Sequence, residues 1–202
     1  MDEALRRPTT TRKTGAERFH DRGNELGFDL LTFWQWSTSD LVSNVTRGRF
    51  AEYLVARAPG LAADGVREEW APFDLCTGLG TKVEVKSAAY VQSWYQRALS
   101  PVRFVVPKTL AWDADGNKQE HETRRQADVY VFALLAHVDK TTIDPLDVGQ
   151  WRFYVLPTAI LDARRRSQHS IALTSLEAVA GPAVDYWNLN DAVERAAEKS
   201  AR

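Results

Sequence analysis

With 202 residues, 44% of them hydrophobic and seven of them tryptophan, the chain is long enough for one domain with a substantial core and short for two. A net charge of −1 and a pI near 6.4 exclude the uniformly basic surface of a nucleic-acid coating protein, so a nucleic-acid partner would have to meet a locally positive face. The single Cys76 rules out an intramolecular disulfide framework and multi-cysteine zinc sites, and His20, His121, His137 and His169 show no zinc-ligand spacing.

Residues 1–24 are charged and threonine-rich and are expected to form a flexible tail, with 25–202 as a single folded domain. No apolar core of a secretory signal and no bilayer-length apolar run is present, so a cytoplasmic protein without a membrane partner is expected. The apolar run 28–36 opens the folded body. Ser37-Thr38-Ser39-Asp40 reads as a capping box, and Leu41, Val45, Ala51, Leu54, Val55 and Ala58 recur at near-helical spacing until Pro59-Gly60 stops the helix. Gly48 would allow another backbone to approach one turn before Glu52, which is either a site residue or an exposed charge.

The stretch 68–75 carries Asp74 at its end. A turn, Cys76-Thr77-Gly78-Leu79-Gly80-Thr81, separates it from Lys82-Val83-Glu84-Val85-Lys86-Ser87. Along a strand, Glu84 and Lys86 share one face and Val83 and Val85 the other, which is the pattern of a half-buried strand. If the two segments fold back on each other, Asp74 meets Glu84 and Lys86. Two hard oxygen ligands beside an ammonium can hold Mg²⁺ and orient water for attack on a phosphodiester. The plainer alternative is a surface hairpin with solvated charges, or an ordinary ion-pair cluster. Cys76 reads as a small half-buried filler. Gly78-Leu79-Gly80-Thr81-Lys82 is too short for a phosphate-binding loop.

Further along, 90–99 reads as a short helix and 102–106 as a strand. Asp113-Ala114-Asp115-Gly116-Asn117 is a turn, so 102–125 should form an inserted hairpin or arm. A calcium loop fails there, because the twelfth position, which needs glutamate, is Arg124. Residues 126–135 read as a core strand whose Asp128 either adds a ligand or, the preferred reading, holds Arg124 or Arg125. A strand at 150–156 closes at Pro157, followed by a basic helix over 158–166, an edge strand over 170–173, a capping box at 174–177 and a terminal amphipathic helix over 190–199. Clusters at Arg6, Arg7, Arg12 and Lys13, at Lys118, Arg124 and Arg125, and at Arg164-Arg165-Arg166 are either solvated faces or phosphate contacts. Trp94, Tyr95 and Trp112 read as core aromatics, with stacking on unpaired bases as the alternative. The order helix, strand, strand, strand, helix, strand predicts an α/β sandwich with a mixed central sheet.

Asp74 followed by Glu84-Val85-Lys86 resembles the D…ExK signature of the PD-(D/E)XK, or restriction-endonuclease-like, nuclease superfamily. Arg47-Gly48-Arg49-Phe50-Ala51-Glu52-Tyr53-Leu54 is similar to its first core helix, which often carries a glutamate facing the site. Gln92 resembles the glutamine after the ExK strand in several branches. The resemblance spans residues 37–94, with Phe73 separating Pro72 from Asp74. It implies a three-layer α/β sandwich with an αβββαβ core and an inserted hairpin. The implied activity is that of a metal-dependent deoxyribonuclease, with Asp74, Glu84, Lys86, Glu52 and Gln92 as catalytic residues. Asp74, Glu84 and the carbonyl of Val85 would hold Mg²⁺ or Mn²⁺, DNA would be the partner, and a 5′-phosphate and a 3′-hydroxyl would be the products. Glu52 would hold a second ion or the metal's water shell, and Gln92 would bond Lys86 or a phosphate. A homodimer would place two sites on the two strands of a duplex, although nothing in the sequence requires one. The alternative is a nuclease fold kept as a catalytically inactive binding or interaction protein.

Overall fold

The computed structural model describes residues 5, 7–61, 65–165 and 167–200. Secondary structure begins with a hairpin, β1 (Arg18–Asp21) and β2 (Asn24–Asp29), so part of the expected tail is paired strand. Its two-residue turn puts Arg22 and Gly23 at φ 49 and 90, the left-handed pair that suits the twist of a tight hairpin. Helix α1 (Leu30–Thr38) follows directly, capped at Asp29, whose carboxylate accepts from Thr32 N while the Thr32 hydroxyl accepts from Asp29 N. The capping box expected at residues 37–40 is therefore displaced to the start of this earlier helix. Asp40 instead accepts from the backbone N–H groups of Val42 and Ser43 in the link to α2 (Asn44–Arg57).

Helix α2 buries Ala51, Leu54 and Val55 on one side, while Val45 faces solvent. No backbone approaches Gly48, where an added Cβ would meet nothing within 4 Å. Strands β3 (Leu75–Cys76) and β4 (Lys82–Ala89) follow, joined by a turn in which Gly80 takes φ 85, a conformation that suits glycine. No helix forms over 90–99. The chain runs irregularly there, tied by the Gln96 side chain to the backbone of Tyr90 and Gln92. Next come β5 (Arg103–Val105) and the expected arm, tipped by β6 (Trp112–Asp113) and β7 (Lys118–Gln119) and closed at its base by a bridge between Thr109 and Arg124.

Strand β8 (Val129–Leu135) and strand β9 (Trp151–Pro157) complete a four-stranded sheet of order β3-β4-β8-β9. Its β4–β8 pair is parallel and its β3–β4 and β8–β9 pairs are antiparallel. Strand β9 follows β8 with only a 3-10 turn (Val148–Gln150) and no α-helix between them. Helix α3 (Thr158–Asp162) comes after it, then β10 (Ser170–Ala172), which pairs with β5 outside this sheet. Helices α4 (Leu173–Ala180) and α5 (Leu189–Ser200) end the fold. Helix α4 has no side-chain cap at its start, so the box expected at 174–177 does not form.

All seven residues of β8 are buried, because both faces of the sheet are covered. Val129, Val131, Ala133 and Leu135 pack with Val83, Val85 and Trp151 against α2 and α5. Tyr130, Phe132 and Leu134 pack with Phe104, Leu161, Ile171 and Leu176 on the other side, under α3, α4 and the β5–β10 pair. The protein is thus a mixed α/β fold around a mixed-orientation sheet. Among the described residues no helix is long and apolar enough to cross a membrane.

Candidate active site

The alternation along β4 separates its side chains as its sequence predicts. Val83 and Val85 enter the core under α2, and Glu84 and Lys86 lie on the opposite face, beside Tyr130 and Phe132 of β8. Asp74 stands just before the edge strand β3. Its backbone N–H donates to the Val83 carbonyl (3.1 Å), and its Oδ2 accepts from the Val85 N–H (2.8 Å). Being at the sheet edge, Asp74 belongs to two clefts. One, of about 450 Å³, lies toward α2 and includes Glu52, Tyr53, Arg49, Arg57 and Arg67. The other, of about 310 Å³, includes Glu84 and residues 109–112 of the arm.

Two other carboxylates, Glu52 in the first cleft and Glu84 in the second, therefore flank Asp74. Burial pushes its carboxyl up to about 7, and the charges of Glu84 and Glu52 push the same way against the Val85 N–H and Lys86. Lys86 pairs with Glu84 at 2.5 Å, both side chains being largely shielded from solvent. Glu52 is held by Arg67, which also donates to Glu69 and lies 4.0 Å from Asp74. Arg67 was not singled out by its sequence context. It sits among glutamates in a charged stretch, and only the return of the chain across α2 brings it to Glu52.

Gln92 is buried, but its side chain donates to the Ala89 carbonyl (2.8 Å) and accepts from Arg47 (3.4 Å), so its bonds do not go to Lys86. Arg47, also buried, is held by Asn44, the Val42 carbonyl and Ser87. This pair anchors α2 to the end of β4 rather than joining the carboxylates.

Other expectations change as well. Cys76 is exposed, on the wall of the larger cleft. Trp94, Tyr95 and Trp112 lie at the surface, while the aromatic core is built from Trp151, Phe104, Phe132 and Phe153. Asp128 accepts from the Lys82 N–H (2.9 Å) and holds β4 against β8, while Arg124 and Arg125 pair elsewhere. Arg124 pairs with Glu120 at the surface, and Arg125 is buried against Asp162 and the carbonyls of Val106 and Gln168. Arg7 pairs with Glu68, and Arg12 donates to the Gly65 carbonyl. Arg6 and Arg166 lie outside the described residues.

Among the described residues no group of three or more His, Cys, Asp or Glu side chains is arranged to hold a metal ion. The pair of Asp74 and Glu84 nevertheless suits Mg²⁺, which is usually bound through one or two carboxylates, with water and substrate phosphate completing its shell. Burial is the main cause of the rise at Asp74, and the repulsion from Glu84 and Glu52 that adds to it is what a divalent cation would relieve. No protein-family model and no curated protein matches this chain.

Proposed function

We propose that the protein is a Mg²⁺-dependent nuclease that hydrolyses phosphodiester bonds of DNA, built on a restriction-endonuclease-like core. The observation that carries this reading is Asp74, a mostly buried carboxyl raised to about 7 by burial and by two neighbouring carboxylates, beside a lysine on the adjacent strand. Perturbed carboxylates clustered in a cleft are common at functional sites. The mixed sheet, with α2 packed behind the Asp74–Lys86 hairpin, supports the family reading. The direct succession of β8 and β9 and the placement of β10 outside the sheet depart from the expected αβββαβ order.

In this reading Asp74, Glu84 and the Val85 carbonyl hold Mg²⁺ or Mn²⁺. An ion held there would supply Lewis-acid polarisation of the scissile phosphate and a more acidic bound water. Lys86, held in place by Glu84, orients that water or offsets charge building on the phosphate oxygens. Glu52 orders the water shell on the α2 side, and Arg49 and Arg67, on the cleft wall, meet the flanking phosphates. Gln92 acts at a distance, by fixing Arg47 and thus the angle of α2. A second reading, a catalytically inactive binding protein, is favoured by the Glu84–Lys86 and Glu52–Arg67 pairs, which already supply cations to two of the three carboxylates.

A plasmid-nicking assay in Mg²⁺ decides between them. The nuclease reading expects cleavage by the wild type and none by Glu84→Ala or Lys86→Ala, with far-UV circular dichroism unchanged. Cleavage that survives both substitutions contradicts the site, and a wild type that binds DNA without cutting it favours the inactive protein.

A further inference from the structure

The hairpin and helix over residues 18–38 are well specified locally yet own no core. Not one residue of β1, β2 or α1 is buried. Their large apolar side chains face outward: Phe19, Leu26, Phe28, Leu31, Phe33 and Trp36 are 39–84% exposed. Some of these rings cluster with one another, Phe19 against Phe28 at 4.8 Å and Phe33 against Trp36 at 6.4 Å. A two-stranded hairpin and a nine-residue helix are each marginal alone in water, so an element so carefully turned and capped calls for a covering surface.

Size and charge identify the cover. At roughly 200 Å² for a large apolar side chain, the exposed fractions amount to about 600 Å² of apolar surface. Summed over hairpin and helix, that is most of the ~800 Å² each partner gives to a standard interface. Helix α1 (LLTFWQWST) carries no charge, and the hairpin mixes Arg18 and Arg22 with Asp21, Glu25 and Asp29. Phosphates or anionic lipid would select a positive face, which this is not. A near-neutral apolar face with both signs at its rim is self-complementary, as a two-fold contact requires.

We propose that residues 18–38 form a dimerisation arm, whose exposed apolar side chains pack against the same segment of a second copy of this chain. This does not rest on the nuclease reading. Sedimentation equilibrium of the full chain over a wide concentration range tests it, on wild type, Phe33→Asp, Trp36→Asp, and Trp187→Asp as a control at an exposed tryptophan elsewhere. The expected mass is twice the 22.8 kDa of the chain for wild type and control. Phe33→Asp and Trp36→Asp should raise the dissociation constant by at least about 100-fold, as for a central aromatic anchor. Because these side chains lie outside the core, the thermal transition of the body should persist in both variants. A wild type that stays monomeric at every concentration, a dimer that withstands both arm substitutions, or a dimer broken equally by Trp187→Asp overturns the proposal.

Discussion

Two clusters of charge in this protein are built on opposite plans. Around Arg125, a fully buried guanidinium is met by one half-exposed carboxylate, Asp162, and by neutral oxygens of Gln168 and Val106. Its Nε is buried without a hydrogen-bond partner, while its other two nitrogens pin the base of the arm to α3 and to the segment before β10. Around Asp74, burial together with the neighbouring carboxylates Glu84 and Glu52, themselves paired with Lys86 and Arg67, leaves a carboxyl that holds its proton up to about 7. The first cluster surrounds one buried cation with a carboxylate and neutral acceptors, whereas the second crowds carboxylates against one another. Structural ion pairs resemble the first plan, and sites that bind a cation resemble the second.

The largest effect that could break this contrast is on catalysis. Glu84→Gln keeps shape and removes charge, and plasmid cleavage should fall by at least about 10³-fold, in the range seen when a principal electrostatic group is lost. The converse holds at the other cluster. Arg125→Met should leave cleavage per folded molecule intact and cost about 3 kcal/mol in urea denaturation, because it strips several hydrogen bonds from buried partners.

Asp74→Asn sharpens the contrast further. Folded Asp74 ionises near 7 against an ordinary 3.8, so between these values the folded state holds the extra proton. Its contribution to stability is full below about pH 4 and is lost as pH rises through about 7. Asparagine can still accept from the Val85 N–H, so metal-free Asp74→Asn should gain about 2 kcal/mol over wild type at pH 8 and little at pH 4, while losing Mg²⁺ binding. Denaturation at the two pH values checks the sign. The smallest expected effect is at Arg67. Arg67→Gln removes a competing cation from Glu52 and Asp74, and calorimetry should find Mg²⁺ bound a few-fold more tightly.

Much of this was legible where the chemistry is local. The period of two in Val83-Glu84-Val85-Lys86 showed the faces of β4, and the β-branched and aromatic run within 126–135 showed a core strand, whose burial on both faces came only with the structure. The turn at 113–117 gave the arm. Elements whose fate depends on distant partners were not legible. Residues 90–99 have helical spacing but are taken up by the Gln96 hydrogen bonds. Thr174 and Glu177 have the spacing of a capping box, yet Glu177 is taken by the Tyr154 hydroxyl (2.8 Å). At the site, Asp74, Glu84, Lys86 and Glu52 were visible because a strand–turn–strand unit and the helix behind it bring them near. Arg67 was not, and Gln92 was visible but is bonded to Arg47, since nothing in its sequence neighbourhood fixes where an amide after a strand will point.

The central claim is that the carboxylates around Asp74 form a cation site, not a structural ion-pair cluster. A calorimetric Mg²⁺ titration of the wild type and of Asp74→Ala/Glu84→Ala, followed from pH 6 to pH 8, tests it most directly. The account predicts saturable binding by the wild type that strengthens as pH rises through about 7, with no binding by the double variant. Absence of binding by the wild type at pH 8, or equal binding by both proteins, would contradict it.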